Sequence, residues 1–158
     1  MKYCRILCAL LGLLLILSLC ACTQGSPADH GYSFTVGESR LTPGALVGTS
    51  LDGLGAYEYS ESGSCGGIPG KDEVYRFAGF TVYTTPGMEG QIIAKIELTD
   101  DTFTTEQGVR VGDSRATVTE LTGIGENVGS NLVYTGESTR LTFVIRDDVV
   151  VGISYTEK

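Results

Sequence analysis

Nucleophilic catalysis needs a base beside its serine or cysteine, and the only imidazole available is His30, the single histidine among 158 residues. Cys65 lies in the stretch Gly-Ser-Cys-Gly-Gly, so a Cys–His pair requires the segment around His30 to fold back onto a glycine-rich loop. Metal chemistry finds no Cys-x-x-Cys, no histidine pair and no Asp-x-Asp-x-Asp-Gly calcium loop. The adjacent acids Asp100-Asp101 and Asp147-Asp148 read first as turn formers at strand ends, with a surface calcium site as the lesser alternative. GSCGGIPGK, residues 63–71, has glycines like those of a phosphate loop but lacks Gly-Lys-Ser/Thr, and reads as a surface loop. The 19 acidic residues allow many carboxylate pairs, so a carboxylate-pair hydrolase stays open, but tryptophan is absent and no aromatic-rich groove signal accompanies them, which weighs against a sugar-cleaving site. The expectation is a chain that is not an enzyme, with no catalytic residue, no cofactor and no metal site.

The N-terminal segment carries its own chemistry. Lys2 and Arg5 precede an apolar run from Leu7 to Leu19, and small and polar residues follow, the three-part layout of a secretory signal. The run is shorter than the roughly 18–20 residues that cross a bilayer as a helix. Leu19, Cys20, Ala21 and Cys22 stand in the order of a lipobox, with the small residue before Cys22. Cys20 fits less well, because Leu19 would precede it. This segment resembles the signal of bacterial lipoproteins, which implies cleavage before Cys22, acylation of its sulfur, and multi-chain anchoring at the extracytoplasmic face of the cell membrane.

Residues after Ala21 hold 19 acidic and 9 basic side chains, a net charge of −10. Nucleic-acid binding requires clustered Lys and Arg, and the sequence has no such cluster, so no nucleic-acid partner is expected. Of the five cysteines, only Cys65 falls beyond Cys22, so no internal disulfide is expected although an exported compartment permits them.

The organisation expected along the chain is a signal peptide over 1–21, a lipid-anchored tether over 22–31, a first repeat over 32–101 and a second over 102–158. Gly44 to Gly55 and Gly112 to Gly123 have the same spacing, and Ile92, Ile93, Ile96 and Leu98 correspond to Val149, Val150, Ile153 and Tyr155 at a constant offset. Each repeat reads as one short helix followed by a three-stranded antiparallel meander. In the second, Asp113 or Ser114 is the N-cap and Gly123 the stop; in the first, Gly48 and Gly53 shorten the helix. Period-two alternation in Leu141–Arg146 and Ile92–Leu98 marks strands. The fold class expected is α+β, with the helices packed on one face of a sheet.

The stretch GVRVGDSRATVTELTG with the meander after it resembles the small repeat of β-lactamase-inhibitor-like and BamE/SmpA-type envelope lipoproteins. Together with Ser64-Cys65, DEVYRF and IAKIELTDD, it also resembles uncharacterised clostridial envelope lipoproteins. That resemblance implies a non-catalytic scaffold whose sheet or loops touch another envelope protein. The alternative is an extracytoplasmic lipoprotein that binds a small ligand or glycan.

Alternation assigns Tyr75, Phe77, Phe80, Val82, Ile92, Ile96, Leu141, Phe143, Ile145 and Ile153 to the covered face. It sends Thr81, Tyr83, Ile93, Lys95, Thr142, Val144, Arg146 and Val150 to the open one. Tyr83, Val144 and Arg146 are the residues expected to contact a partner there.

Overall fold

The computed structural model describes residues 31–65 and 67–158; Cys22 and His30 lie outside them. Ten strands are present: β1 (Phe34–Val36), β2 (Ser39–Leu41), β3 (Tyr57–Gly63), β4 (Lys71–Phe77), β5 (Phe80–Pro86), β6 (Gln91–Leu98), β7 (Glu126–Val128), β8 (Asn131–Thr135), β9 (Thr139–Arg146) and β10 (Val149–Glu157). Among the described residues a single helix, α1 (Arg115–Thr122), precedes β7. β3 to β10 form one antiparallel sheet in the order β3-β4-β5-β6-β10-β9-β8-β7, which is two four-stranded meanders joined where β6 meets β10.

The expected α+β arrangement of two helix-plus-meander repeats is therefore wrong. About half of the described residues are in strands and 6% are helical. In the second half, Ser114 caps α1 by accepting the Thr117 N–H, and Gly123 closes it with φ +85°. The matching stretch of the first half forms turns instead, because Gly48 (φ +47°) and Gly53 (φ +77°) sit in left-handed backbone that a helix cannot contain. Each meander has four strands rather than three, since β3 and β7 carry few of the aliphatic residues that mark a strand.

What covers the sheet is mostly hairpin and loop. β1 and β2 pair through Phe34–Leu41, Thr35–Arg40 and Val36–Ser39. A smaller bridge, Thr104 to Arg110, occupies the corresponding place in the second half. Phe34 is 1% exposed, and Leu41 and Val109 are fully buried. The Phe34 ring meets Phe80 at 5.2 Å, Phe103 at 5.6 Å and Tyr155 at 6.1 Å, so one aromatic cluster ties both hairpins to β5 and to the central strand β10. Truncating a buried phenylalanine of this kind costs about 3–5 kcal/mol.

Two bulges displace the expected faces. Tyr83 pairs with Lys95 while Thr84 pairs with Ile93, so Ala94 is extra; Val150 pairs with Ile145 while Gly152 pairs with Val144, so Val151 is extra. An inserted residue reverses which side chains point inward beyond it. Ile93 and Val150, expected on the open face, are each 1% exposed in the core, and Ile92 is turned out. Phe77, Phe80, Val82, Ile96, Leu141, Phe143, Ile145 and Ile153 are buried on the covered face.

At each bulge a glycine-led segment clasps the central strand. In the first half, Gly44 N–H donates to Ile93 O (2.8 Å), Ile93 N–H to Ala45 O (2.9 Å) and Val47 N–H to Gln91 O (2.8 Å). In the second, Gly112 N–H donates to Val150 O, Val150 N–H to Asp113 O and Arg115 N–H to Asp148 O, each at 2.8 Å. Gly44 and Gly112 have φ of +85° and +97°, a region that side-chain-bearing residues rarely enter. A Cβ at Gly112 would meet nothing within 4 Å, so only backbone strain opposes one. Gly112→Ala is expected to lower unfolding free energy by about 1–3 kcal/mol without a clash, read as a lower urea midpoint at unchanged slope; an unshifted midpoint would show that the clasp does not depend on this conformation.

Candidate functional site

Sheet register extends the core outward onto the edge strand. Tyr57 pairs with Phe77, Tyr59 with Tyr75 and Glu61 with Glu73; Phe77 pairs with Phe80, Tyr75 with Val82 and Glu73 with Thr84. Directly paired residues share a face, so Tyr57, Tyr59 and Glu61 lie on the same side as the buried Phe77, Phe80 and Val82. The hairpins and loops stop short of them. Tyr57 is 49% and Tyr59 47% exposed, and all seven residues of β3 are exposed.

The result is an aromatic stripe that starts in the core and ends in solvent. Phe77 stacks on Phe80 at 4.6 Å, Tyr57 packs against both Phe77 and Tyr75 at 5.3 Å, and Tyr59 lies 5.4 Å from Tyr75. Beside it is an acidic group. Glu61 and Glu73 stand directly opposite, where like charges repel, and the surrounding donors offset that repulsion. The single Tyr59 hydroxyl proton is shared between Glu61 Oε2 at 2.9 Å and Glu73 Oε1 at 3.2 Å. Tyr75 Oη donates to Glu73 Oε2 at 2.7 Å, and Lys71 forms an ion pair with Glu61.

These bonds shift the ionisations. The hydrogen bond to Glu61, with smaller contributions from burial and the charge of Glu73, pushes the Tyr59 hydroxyl up to about 12. Burial, then the Glu73 hydrogen bond and charge, raises Tyr75 further. Lys71 and Tyr59, by hydrogen bonding to it, hold the Glu61 carboxyl below its usual range. Neutral tyrosines with raised pKa are poor bases and poor nucleophiles, so the group is chemically suited to contact and hydrogen bonding. Among the described residues, no three His, Cys, Asp or Glu side chains are grouped to hold a metal ion.

The sequence-derived contact residues are elsewhere and apart. Tyr83 is on the opposite face, half-buried, donating to Glu97 Oε2 at 2.7 Å beneath Lys95 Nζ, which sits 4.6 Å from the ring centroid. Val144 is 36% exposed beside the second bulge, and Arg146 is exposed at the end of β9. Tyr83 aligns with Lys95, Thr156 and Arg140; Val144 lies farther along β9, about 20 Å from Tyr83 at ordinary strand spacings. All three share the open face of the sheet, but Tyr83 stands too far from Val144 and Arg146 to form one patch with them. Asp147 and Asp148 occupy left-handed backbone (φ +51° and +61°) in the β9–β10 turn, and Asp100 accepts the Thr102 N–H at 2.9 Å. Cys65 is exposed.

Sequence reasoning missed the stripe because Tyr57-Glu58-Tyr59-Ser60-Glu61-Ser62 contains no aliphatic residue. The signal was there in the period-two spacing of the tyrosines. No protein-family model, curated protein or solved structure matches this chain.

The tyrosine–glutamate coupling is testable by alkaline titration of tyrosinate absorbance. Raised folded-state values mean that neutral Tyr59 and Tyr75 contribute stability fully below the ordinary value of about 10 and lose that contribution as pH climbs through the folded values. Glu73→Gln should lower both late-ionising tyrosines only part of the way, because the Glu61 hydrogen bond to Tyr59 and the burial of Tyr75 remain; an unchanged titration curve would show that Glu73 is not their partner.

Proposed function

We propose that this chain is a lipid-anchored, extracytoplasmic protein-binding module, held to the membrane through Cys22 and engaging another envelope protein through the stripe of Tyr57, Tyr59 and Tyr75. The observation that carries this reading is the exposure of two tyrosine rings continuous with the core. They are pre-ordered by ring packing and hydrogen bonds, so they lose little conformational freedom on contact. Tyrosine is also among the residue types that dominate binding energy. The lipid anchor rests on the order Leu19-Cys20-Ala21-Cys22 after an apolar run, and no helix of the described residues is long and apolar enough to cross a membrane. The charge of −10 beyond Ala21 weighs against nucleic acid and anionic wall polymers as partners.

A glycan is the second reading, favoured by the same two tyrosine rings beside carboxylates, since a sugar ring can lie on an aromatic face while acids accept from its hydroxyls. Cross-linking in intact cells separates the two. The account predicts protein cross-links concentrated on β3 and β4 that Tyr57→Ala/Tyr59→Ala removes, on a chain whose N-terminal peptide carries acyl mass at Cys22 and loses it in Cys22→Ala. Cross-links confined to Val144 and Arg146, or a wild-type Cys22 without acyl mass, would overturn the corresponding part.

A further inference from the structure

The stripe lies beside an open sheet edge, and the edge itself is the stronger feature. β3 pairs with β4 through seven consecutive residue pairs without a bulge, and among the described residues it has no neighbour on its other side in the sheet order. An edge strand presents a row of unpaired N–H and C=O groups, and proteins usually blunt such edges with charged side chains, lysine above all, or with proline, a bulge or a very short strand. The far edge follows that rule, since β7 has three residues. β3 is seven residues long, has neither lysine nor proline, and carries only acidic charge, at Glu58 and Glu61, which repels an acidic strand and leaves the edge open to a basic one.

We infer that β3 accepts an extended, basic segment of another envelope protein as a ninth, antiparallel strand of the sheet. This rests on the reading of the tyrosine stripe as a protein-binding face and specifies how that face is used. Strand addition draws affinity from backbone hydrogen bonds and specificity from alternate side chains. Tyr57, Tyr59 and Glu61 would flank one face of the incoming strand, and Glu58 and Ser60 the other. Reading the incoming strand from its N-terminus, the residue opposite Glu61 is a cation, the next is small and polar opposite Ser60, and the third is β-branched against Tyr59. A cation then meets Glu58, and a β-branched residue meets Tyr57.

Charge selects this occupant over a second copy of the chain. Glu58, Glu61, Asp72 and Glu73 on β3 and β4 outnumber Lys71 and Arg76, so this end of the sheet keeps an acidic excess even with Lys71 paired to Glu61 and Arg76 placed opposite Glu58. Two β3 strands side by side would bring two glutamates each into one interface, between chains that are acidic overall. Antiparallel pairing is the commoner geometry and matches every pairing in the sheet.

Fluorescence anisotropy with the full-length protein in detergent micelles tests the inference with labelled peptides containing Lys-Thr-Val-Lys-Val. Saturable binding is expected, weaker by about tenfold or more for Glu-Thr-Val-Glu-Val. Backbone N-methylation of one alternating set of residues should abolish it, while methylation of the other set leaves it intact. Glu58→Lys, at an exposed position, should shift preference to Lys-Thr-Val-Glu-Val. Equal binding by both methylated sets would overturn strand addition while leaving a side-chain contact face. Absent peptide binding, alongside protein cross-links that still map to Tyr57 and Tyr59, would overturn it and spare the broader reading. Concentration-dependent dimerisation lost on Tyr59→Ala would assign the edge to a second copy instead.

Discussion

Strands β6 and β10 share only four residue pairs, Lys95 to Leu98 against Ile153 to Thr156, and the rest of each central strand faces away from its neighbour. Backbone groups left unpaired in a buried sheet cost about as much as lost hydrogen bonds, so the middle of this fold is stable only if something else satisfies them. The two clasps do so. Each places a positive-φ glycine against the residue just before a bulge, and each makes the same three hydrogen bonds. Because the bulges at Ala94 and Val151 are where the central strands part, clasp and bulge form one device used twice.

That device organises the remainder. It seats the Gly44 and Gly112 segments against the covered face, which brings the two hairpins together at Phe34 and Phe103 over Phe80 and Tyr155. The cover is centred on the β6–β10 junction and thins toward the edges. On the second half α1 adds Val118 to the buried core. On the first half the turns reach only as far as Leu51 and Leu54, leaving the β3 end of the sheet bare. The exposed tyrosines follow from this shortfall in cover, and their ring packing and glutamate partners keep a bare aromatic face ordered. The binding reading and the strand-addition reading both rest on that uncovered end.

Much of this was legible in the sequence, and the failures have physical causes. The glycine pairs at Gly44 and Gly112, α1 with its cap at Asp113 or Ser114, and three of the four strands in each meander were marked by spacing and alternation. The first helix was inferred by analogy with α1, and Gly48 and Gly53 override that analogy because their backbone is left-handed. Ile93 and Val150 were assigned to the wrong face because a single inserted residue leaves hydropathy unchanged and reverses orientation. Tyr83 was chosen as an exposed aromatic, but its hydroxyl and ring are engaged by Glu97 and Lys95, whose positions two strand residues apart could not be tied to it without the register. The site at Tyr57 and Tyr59 escaped notice because an edge strand lacks the aliphatic residues that announce a buried one.

Native-state hydrogen exchange on the intact chain bears most directly on the claim that the sheet is closed at its centre and open at β3. The account predicts that the amides of Gly44, Ile93, Gly112 and Val150 exchange as slowly as those of the β6–β10 pairing, while alternate amides of β3 exchange rapidly. Clasp amides exchanging at the rate of the surrounding turns, or uniform protection along β3, would contradict it.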